Sequence, residues 1–449
     1  MPLGRPETKY LHTEQGAVGY QVFGEGDRDI LFITHWLSNI DMYWDEPSAV
    51  RYLDRLAGMG RVILIDKIGS GVSDLSTGDT PVPPIERHLD DILAVLDEVA
   101  STSATIIGDT EGGMVAILLA ATYPKRFPSL VLVSSFARLS RAEDYPIGAP
   151  PHLIERASEN WMAQHGTTGD ILAFTAPSIA DDARFKAWWV RFQRAAQKPR
   201  SAALALQWIA ATDVRPALDA IQADTLVVHR RDAVHHRLAF GEYLAERIAG
   251  ARLVVLEGAD TLPFHAGPFN EVLDAIEDFL GDSQSPSIGA RQFATVLFTD
   301  IVGSTAMASE MGDQRWLDLL AEHDRRVGMG IDRHRGELVK PTGDGAMATF
   351  DGPYRAIQAA ASVVQDLGSL GLTIRAGLHT GEVERRNGEV GGVAIHLASR
   401  VMDMAEDGGV MVSSTVRDLL VGSGLEFEPK GTFDLKGIPG EWSLYAVSA

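Results

Sequence analysis

The sequence predicts an α/β chain of two domains, and three observations carry that reading. Short β-branched runs alternate with amphipathic stretches over the first 280 or so of 449 residues. A small, polar segment with one proline, GDSQSPSIGA (281–290), then breaks the pattern as a linker would. A second, separate set of strand-like and helical stretches follows it. The length suits two or three domains, and 45% hydrophobic with 22% charged residues is ordinary for a globular protein.

In chain order, the runs DILFIT (29–34), RVILID (61–66), SATIIG (103–108), SLVLVSS (129–135), DTLVVH (224–229) and ARLVVLE (251–257) read as strands of a mainly parallel sheet covered by helices. Between about 139 and 210 the pattern turns helical and aromatic, as in RFKAWWVRFQRAA, and reads as a cap over that sheet. Its tryptophans, Trp161, Trp188, Trp189 and Trp208, are either core or the walls of an apolar pocket for a small ligand. Beyond the linker, 294–305, 336–350, 372–383 and 409–414 supply the strands of the second domain. The expected boundaries are 1–282, a linker at 283–290, and 291–449.

Bulk properties exclude several functions. A net charge of −21 argues against nonspecific binding to DNA, RNA or anionic lipid, so any nucleotide must be held by a local site. No apolar run approaches a membrane span, and MPLGRPETKY lacks the apolar core of a signal peptide. The absence of cysteine rules out disulfides, thiolate metal sites and a cysteine nucleophile, and agrees with a cytoplasmic location.

The stretch IIGDTEGGMVAILLAATYP (106–124) has the strand–turn–helix layout of a nucleophile elbow, G-x-S-x-G, with Thr110 in place of serine. Together with DKIGSGVSD (66–74), VVHRRDAV (227–234) and VVLEGADTLPF (254–264), it resembles the α/β-hydrolase family over roughly residues 10–280. The resemblance implies the order nucleophile, acid, histidine. Asp232 falls where the acid belongs, but the histidine position is Thr261. A threonine hydroxyl needs a neighbouring base, and a second threonine is no substitute for imidazole. A β-branched residue also fits poorly on a strained elbow. His265, four residues on, is read as packing locally, and Trp36 as crowding the oxyanion site. The expectation is a hydrolase fold that no longer hydrolyses and serves a regulatory role.

In the second domain, FTDIVGST and KPTGDG place Asp300 and Asp344 at strand ends among small residues, which suits a shared hard-cation site. With LASR (397–400) following in the same order, the segment 291–449 resembles a class III nucleotidyl cyclase catalytic domain, a ferredoxin-like α+β fold. The fusion as a whole resembles actinobacterial hydrolase–cyclase proteins. The resemblance implies that Asp300, Asp344 and the Ile301 carbonyl hold two Mg2+ or Mn2+ ions. It implies that Lys340 reads adenine, Arg400 stabilises the pentavalent phosphorus, and Lys436 meets the β- and γ-phosphates. Two positions depart from the family. Glu389 stands where Asp or Thr usually receives the adenine amino group, and His396 replaces the asparagine that orients the ribose. The implied substrate is ATP and the implied assembly a homodimer with composite sites, because one chain carries both halves of the set. Guanylate cyclase activity, or an esterase whose cyclase domain only dimerises, are the alternatives.

Overall fold

The computed structural model describes residues 4–14, 16–75, 85–167, 171–262, 269–282, 291–341, 343–386 and 389–448. His265 and the expected linker at 283–290 lie outside the described residues, as does the side chain of Glu389. The chain divides into two compact units, residues 1–289 and 290–449.

The first unit is built on one sheet of eight strands: β1 (Lys9–Thr13), β2 (Gly16–Phe23), β3 (Asp29–Ile33), β4 (Arg61–Ile65), β5 (Ala104–Asp109), β6 (Ser129–Val133), β7 (Asp224–Arg230) and β8 (Arg252–Leu256). Their order is β1-β2-β4-β3-β5-β6-β7-β8. The β1–β2 hairpin pairs antiparallel, as does β2 with β4, and every later pairing is parallel. The parallel strands read as continuous apolar runs because helices cover both faces. β5 and β6 are buried at every residue.

Helices α1 (Pro47–Ala57), α2 (Ile85–Glu98) and α3 (Gly112–Thr122) link the early strands. α3 is buried at all its positions, as expected of a helix apolar on every side. The chain passes from β3 to β4 on one side and then returns across β3 to β5. That reversal is a topological switch point, where open α/β sheets gather their functional loops. Between β6 and β7 stand α4 (Pro151–Gln164), α5 (Leu172–Thr175), α6 (Ala183–Ala196) and α7 (Pro199–Ala211). Trp188 and Trp189 are core, stacked on Phe192 with ring centroids 4.9 and 5.4 Å away. Trp161 and Trp208 are only half-buried. α8 (Leu238–Arg247) and α9 (Phe269–Asp282) complete the unit.

The second unit holds β9 (Arg291–Ile301), α10 (Ser304–Met311), α11 (Asp313–Arg333), β10 (Glu337–Pro341), β11 (Gly345–Phe350), α12 (Pro353–Gly368), β12 (Ile374–Arg386), β13 (Glu389–Gly391), α13 (Val393–Asp403), β14 (Val410–Ser413), α14 (Ser414–Leu419), β15 (Glu426–Asp434) and β16 (Glu441–Ser448). The main strand order is β10-β11-β9-β12-β14-β16-β15, with β13 folded back on β12. Side-chain alternation along β9 divides the core. Leu297 and Ile301 pack with α11 and α12 residues such as Val327 and Ile357, while Val296 and Phe298 pack with Ala394, Ala398 and Met402 of α13. The same alternation puts Asp300 on the α13 face.

Candidate functional site

The second unit gathers the two predicted metal aspartates by strand register. Gly345 is the cross-strand partner of Asp300, so Asp344 lies beside it, and the Ile301 N–H donates to the Asp344 carbonyl at 3.2 Å. Arg375, opposite Asp300 on β12, donates to Oδ2 of Asp300 from Nε (3.1 Å) and Nη2 (2.7 Å). The Ser304 hydroxyl donates to Oδ2 of Asp344. Among the described residues, each carboxylate therefore keeps Oδ1 to offer. Among the described residues no cluster of three or more His, Cys, Asp or Glu side chains forms a metal site. Two carboxylates fit a hard cation that draws its other oxygens from a polyphosphate and water. Sequence reasoning passed over Arg375 and Ser304, because only the folded register brings them to the aspartates.

A second group assembles around α13. His396 and Arg400 are four residues apart and share one face, His396 exposed and Arg400 half-buried. Arg400 Nε donates to the Lys436 carbonyl at 3.1 Å, and its Nη1 pairs with Asp403 at 2.9 Å. The arginine is thus held beside the loop that carries Lys436. Lys340 is exposed on β10, next to a register shift between Leu338 and Lys340 of the kind that re-aims a side chain. Among the described residues no hydrogen bond or ion pair joins the aspartate pair to Lys340, His396, Arg400 or Lys436.

In the first unit, Thr110 does occupy an elbow. Its φ is +52°, the left-handed region a β-branched residue seldom adopts, so the fold imposes the turn despite the side chain. Thr261 is fully buried, and its N–H (2.7 Å) and hydroxyl (3.2 Å) both donate to the Thr175 carbonyl in the cap. It ties the late loop to α5. Asp232 is exposed just beyond β7, and its N–H donates to the Gly258 carbonyl at 3.0 Å. Trp36 is half-buried and packs against Trp161 of the cap, centroids 5.2 Å apart.

The residue that sequence reasoning missed here is Glu111. In an active elbow the oxyanion is held by the N–H after the nucleophile and by one from the loop after the third strand. Here the Glu111 carboxylate itself accepts from the Trp36 N–H in that loop, and it is held by its own N–H as well. Burial pushes its carboxyl up to about 7, against the opposing charge of Lys67. Lys67, whose ammonium burial disfavours, donates to the carbonyls of Thr34 (2.9 Å) and His35 (3.1 Å). Asp109, fully buried on β5, has its carboxyl raised well above the usual range, chiefly by burial. The one available sign was an acidic residue directly after the nucleophile position.

Comparison with known proteins matches both units. A profile of the alpha/beta hydrolase fold family covers residues 30–265, more than half of the chain, and one of the Adenylate and Guanylate cyclase catalytic domain covers residues 289–449. The chain belongs to the α/β-hydrolase fold family, fused to a class III cyclase catalytic domain. Among curated relatives it is 36% identical over 260 residues to a pimeloyl-[acyl-carrier protein] methyl ester esterase of Neisseria meningitidis, covering 54% of this chain and 90% of that one. It is 26% identical over 251 residues to 3-oxoadipate enol-lactonase 2 of Acinetobacter baylyi, covering 56% and 88%. Among solved structures, a bromoperoxidase from Bacillus anthracis aligns at a TM-score of 0.53 and 20% identity, over 62% of this chain and all of that one. At that identity the likeness speaks for the fold alone. The hydrolase–cyclase fusion thus resembles esterases at one end and carries a nucleotide-cyclising domain, of a family that generally uses divalent metal ions, at the other. No helix among the described residues is long and apolar enough to cross a membrane.

Proposed function

We propose that this fusion is an adenylate cyclase, converting ATP to 3′,5′-cyclic AMP and pyrophosphate in a homodimer, under the control of a first domain that has lost hydrolytic chemistry. The observation that carries the reading is the division of the donor set into two clusters. The aspartates sit together at the β9–β11 edge. Arg400 and Lys436 sit together by α13, and among the described residues no hydrogen bond or ion pair joins them to the aspartates. Two copies placed face to face would complete two equivalent sites. Val393, at the start of α13, and Leu338, beside Lys340, are 63% and 40% exposed, as surfaces awaiting a partner would be.

Asp300, Asp344 and the Ile301 carbonyl would hold the divalent cations, which when bound lower the pKa of the 3′-hydroxyl and neutralise the triphosphate. The 3′-oxygen forms its bond to the α-phosphorus as the bond to pyrophosphate breaks, and the hydroxyl proton leaves to solvent. Arg400 meets the charge on the equatorial oxygens and Lys436 that on the leaving pyrophosphate. Lys340 donates to adenine N1, which is a bare acceptor, whereas guanine presents N1–H there. Glu389 accepts from the adenine amino group, and its extra methylene relative to aspartate relaxes the selection. His396 retains a donor for the ribose.

The hydrolytic loss rests on three features: a threonine at the elbow, Thr261 bonded into the cap, and a carboxylate on the Trp36 oxyanion donor. Product analysis of the purified chain with ATP or GTP, and Mg2+ or Mn2+, tests the proposal. Cyclic AMP as the main product is expected. Cyclic GMP exceeding it, or no cyclic product with either metal, contradicts it.

A further inference from the structure

Beside the elbow, where Lys67 follows β4 and α7 of the cap comes down, lies a cavity of about 40 Å³. One enclosed water needs roughly 10–15 Å³ by this measure, so the space accepts about three water-sized groups. Gly112 and Val115 of α3 line it, and Thr110 does not, so it is set apart from the elbow side chain itself.

His88 is only 5% exposed, and among the described residues its Nδ1 meets no hydrogen-bond partner; the same holds for the buried Trp208 Nε1 and Gln197 Oε1. All three residues line the cavity. The His88 and Trp208 rings meet edge-on, centroids 6.1 Å apart. Gln197 Nε2 donates to the Gly69 carbonyl at 3.2 Å, which fixes the amide with Oε1 as its remaining acceptor. A buried donor or acceptor left unpaired is costly, and three around one small space describe a site rather than a packing defect. Lys67 and Glu111 form the charged part of the wall, and Lys67 has a third N–H beyond the two given to Thr34 and His35.

We propose that this cavity binds a small uncharged molecule whose head carries a carbonyl beside an N–H or O–H group: an amide or a hydroxy-carbonyl compound. The Trp208 N–H and the Lys67 ammonium supply donors for the carbonyl oxygen. Gln197 Oε1 accepts from the adjacent N–H or O–H, and His88 Nδ1 offers a further polar contact in the same wall. The head must be neutral because the wall already sets one acid against one base, Glu111 against Lys67, and has no charge left over for an ion. An anion would meet the acid and a cation the base, each with no further countercharge. Ile68 and Ile209 leave the rest of the wall apolar. This deepens the regulatory reading of the first domain by naming its input, and the binding itself does not depend on that reading.

The test uses the full chain and three probes of equal size: acetamide, acetate and acetamidinium. Each is titrated by saturation-transfer NMR without nucleotide. Acetamide is expected to bind saturably, on the order of millimolar for so few atoms, and both charged probes at least about tenfold more weakly. Trp208→Phe, which keeps the ring edge and removes the N–H, should weaken acetamide by about tenfold. Trp442→Phe in the other unit should leave it unchanged. If Trp208→Phe does not fold, His88→Phe serves in its place. Acetamide that fails to saturate, acetate that binds as well, or cavity variants that bind like the wild type would each overturn the proposal. The readout is independent of nucleotide turnover, so failure here and failure of the cyclase assignment are separable.

Discussion

At the residue scale, the carboxylates of the two units sit in two different environments. Asp300 and Asp344 are partly solvated, and among the described residues each is engaged at one oxygen. Asp300→Ala or Asp344→Ala should lower cyclisation by at least about 100-fold, because metal charge is the main stabilising contribution in such chemistry. The melting temperature should stay within a few degrees. Activity within a few-fold of wild type in either variant would remove the metal assignment. Glu111 is instead buried and occupies the Trp36 oxyanion donor. Restoring a serine and a histidine by Thr110→Ser with Thr261→His is therefore expected to give no turnover of p-nitrophenyl acetate. Adding Glu111→Met to that pair should free the donor and yield measurable hydrolysis, since an oxyanion donor contributes about 10²–10³-fold. A double variant as active as the triple would show that Glu111 does not block the hole.

At the element scale, the elbow of the first unit and the β12–α13 contact of the second are both close backbone approaches. Burial raises the Glu111 carboxyl from its usual value near 4.5 to about 7. The folded chain then binds this proton more tightly than the unfolded chain. Its contribution to stability is full below about pH 4.5 and is lost as pH rises through about 7. Asp66 and Asp91, raised to about 6 and about 7, act in the same direction. The informative quantity is thus the difference between wild type and Glu111→Gln, whose melting temperature should fall less steeply across that window. Parallel curves would contradict the buried, proton-binding carboxyl. On the other unit, a Cβ at Gly377 would lie 2.1 Å from the Met402 backbone nitrogen. Gly377→Ala should force α13 off β12, melting the unit several degrees lower and displacing Arg400 with it.

Elements differ in how openly the sequence declares them. β3 to β7 are legible as apolar runs because the sheet buries them on both faces, and β8 keeps an apolar run although it is a half-buried edge strand. β1, mostly exposed, and β15, with its EFEPKGTFD sequence, carry no such signal and form through pairing with β2 and β16. The site divides likewise. Asp300, Asp344 and Arg400 stand in motifs, so their positions can be read along the chain. Arg375 meets Asp300 only through antiparallel register, and Lys67 meets Glu111 only across the ends of β4 and β5. Such partners are properties of the sheet rather than of any local stretch.

At the scale of the whole molecule, one chain is proposed to hold two half-sites that a second copy joins. The decisive measurement mixes two inactive variants, Asp300→Ala and Arg400→Ala, after subunit exchange has been demonstrated independently. Half of the dimers in an equal mixture would be heterodimers, each with one intact site of two, so cyclic AMP formation should return to about a quarter of the wild-type rate. A mixture that exchanges subunits freely and remains as inactive as its components would contradict a site shared between two copies.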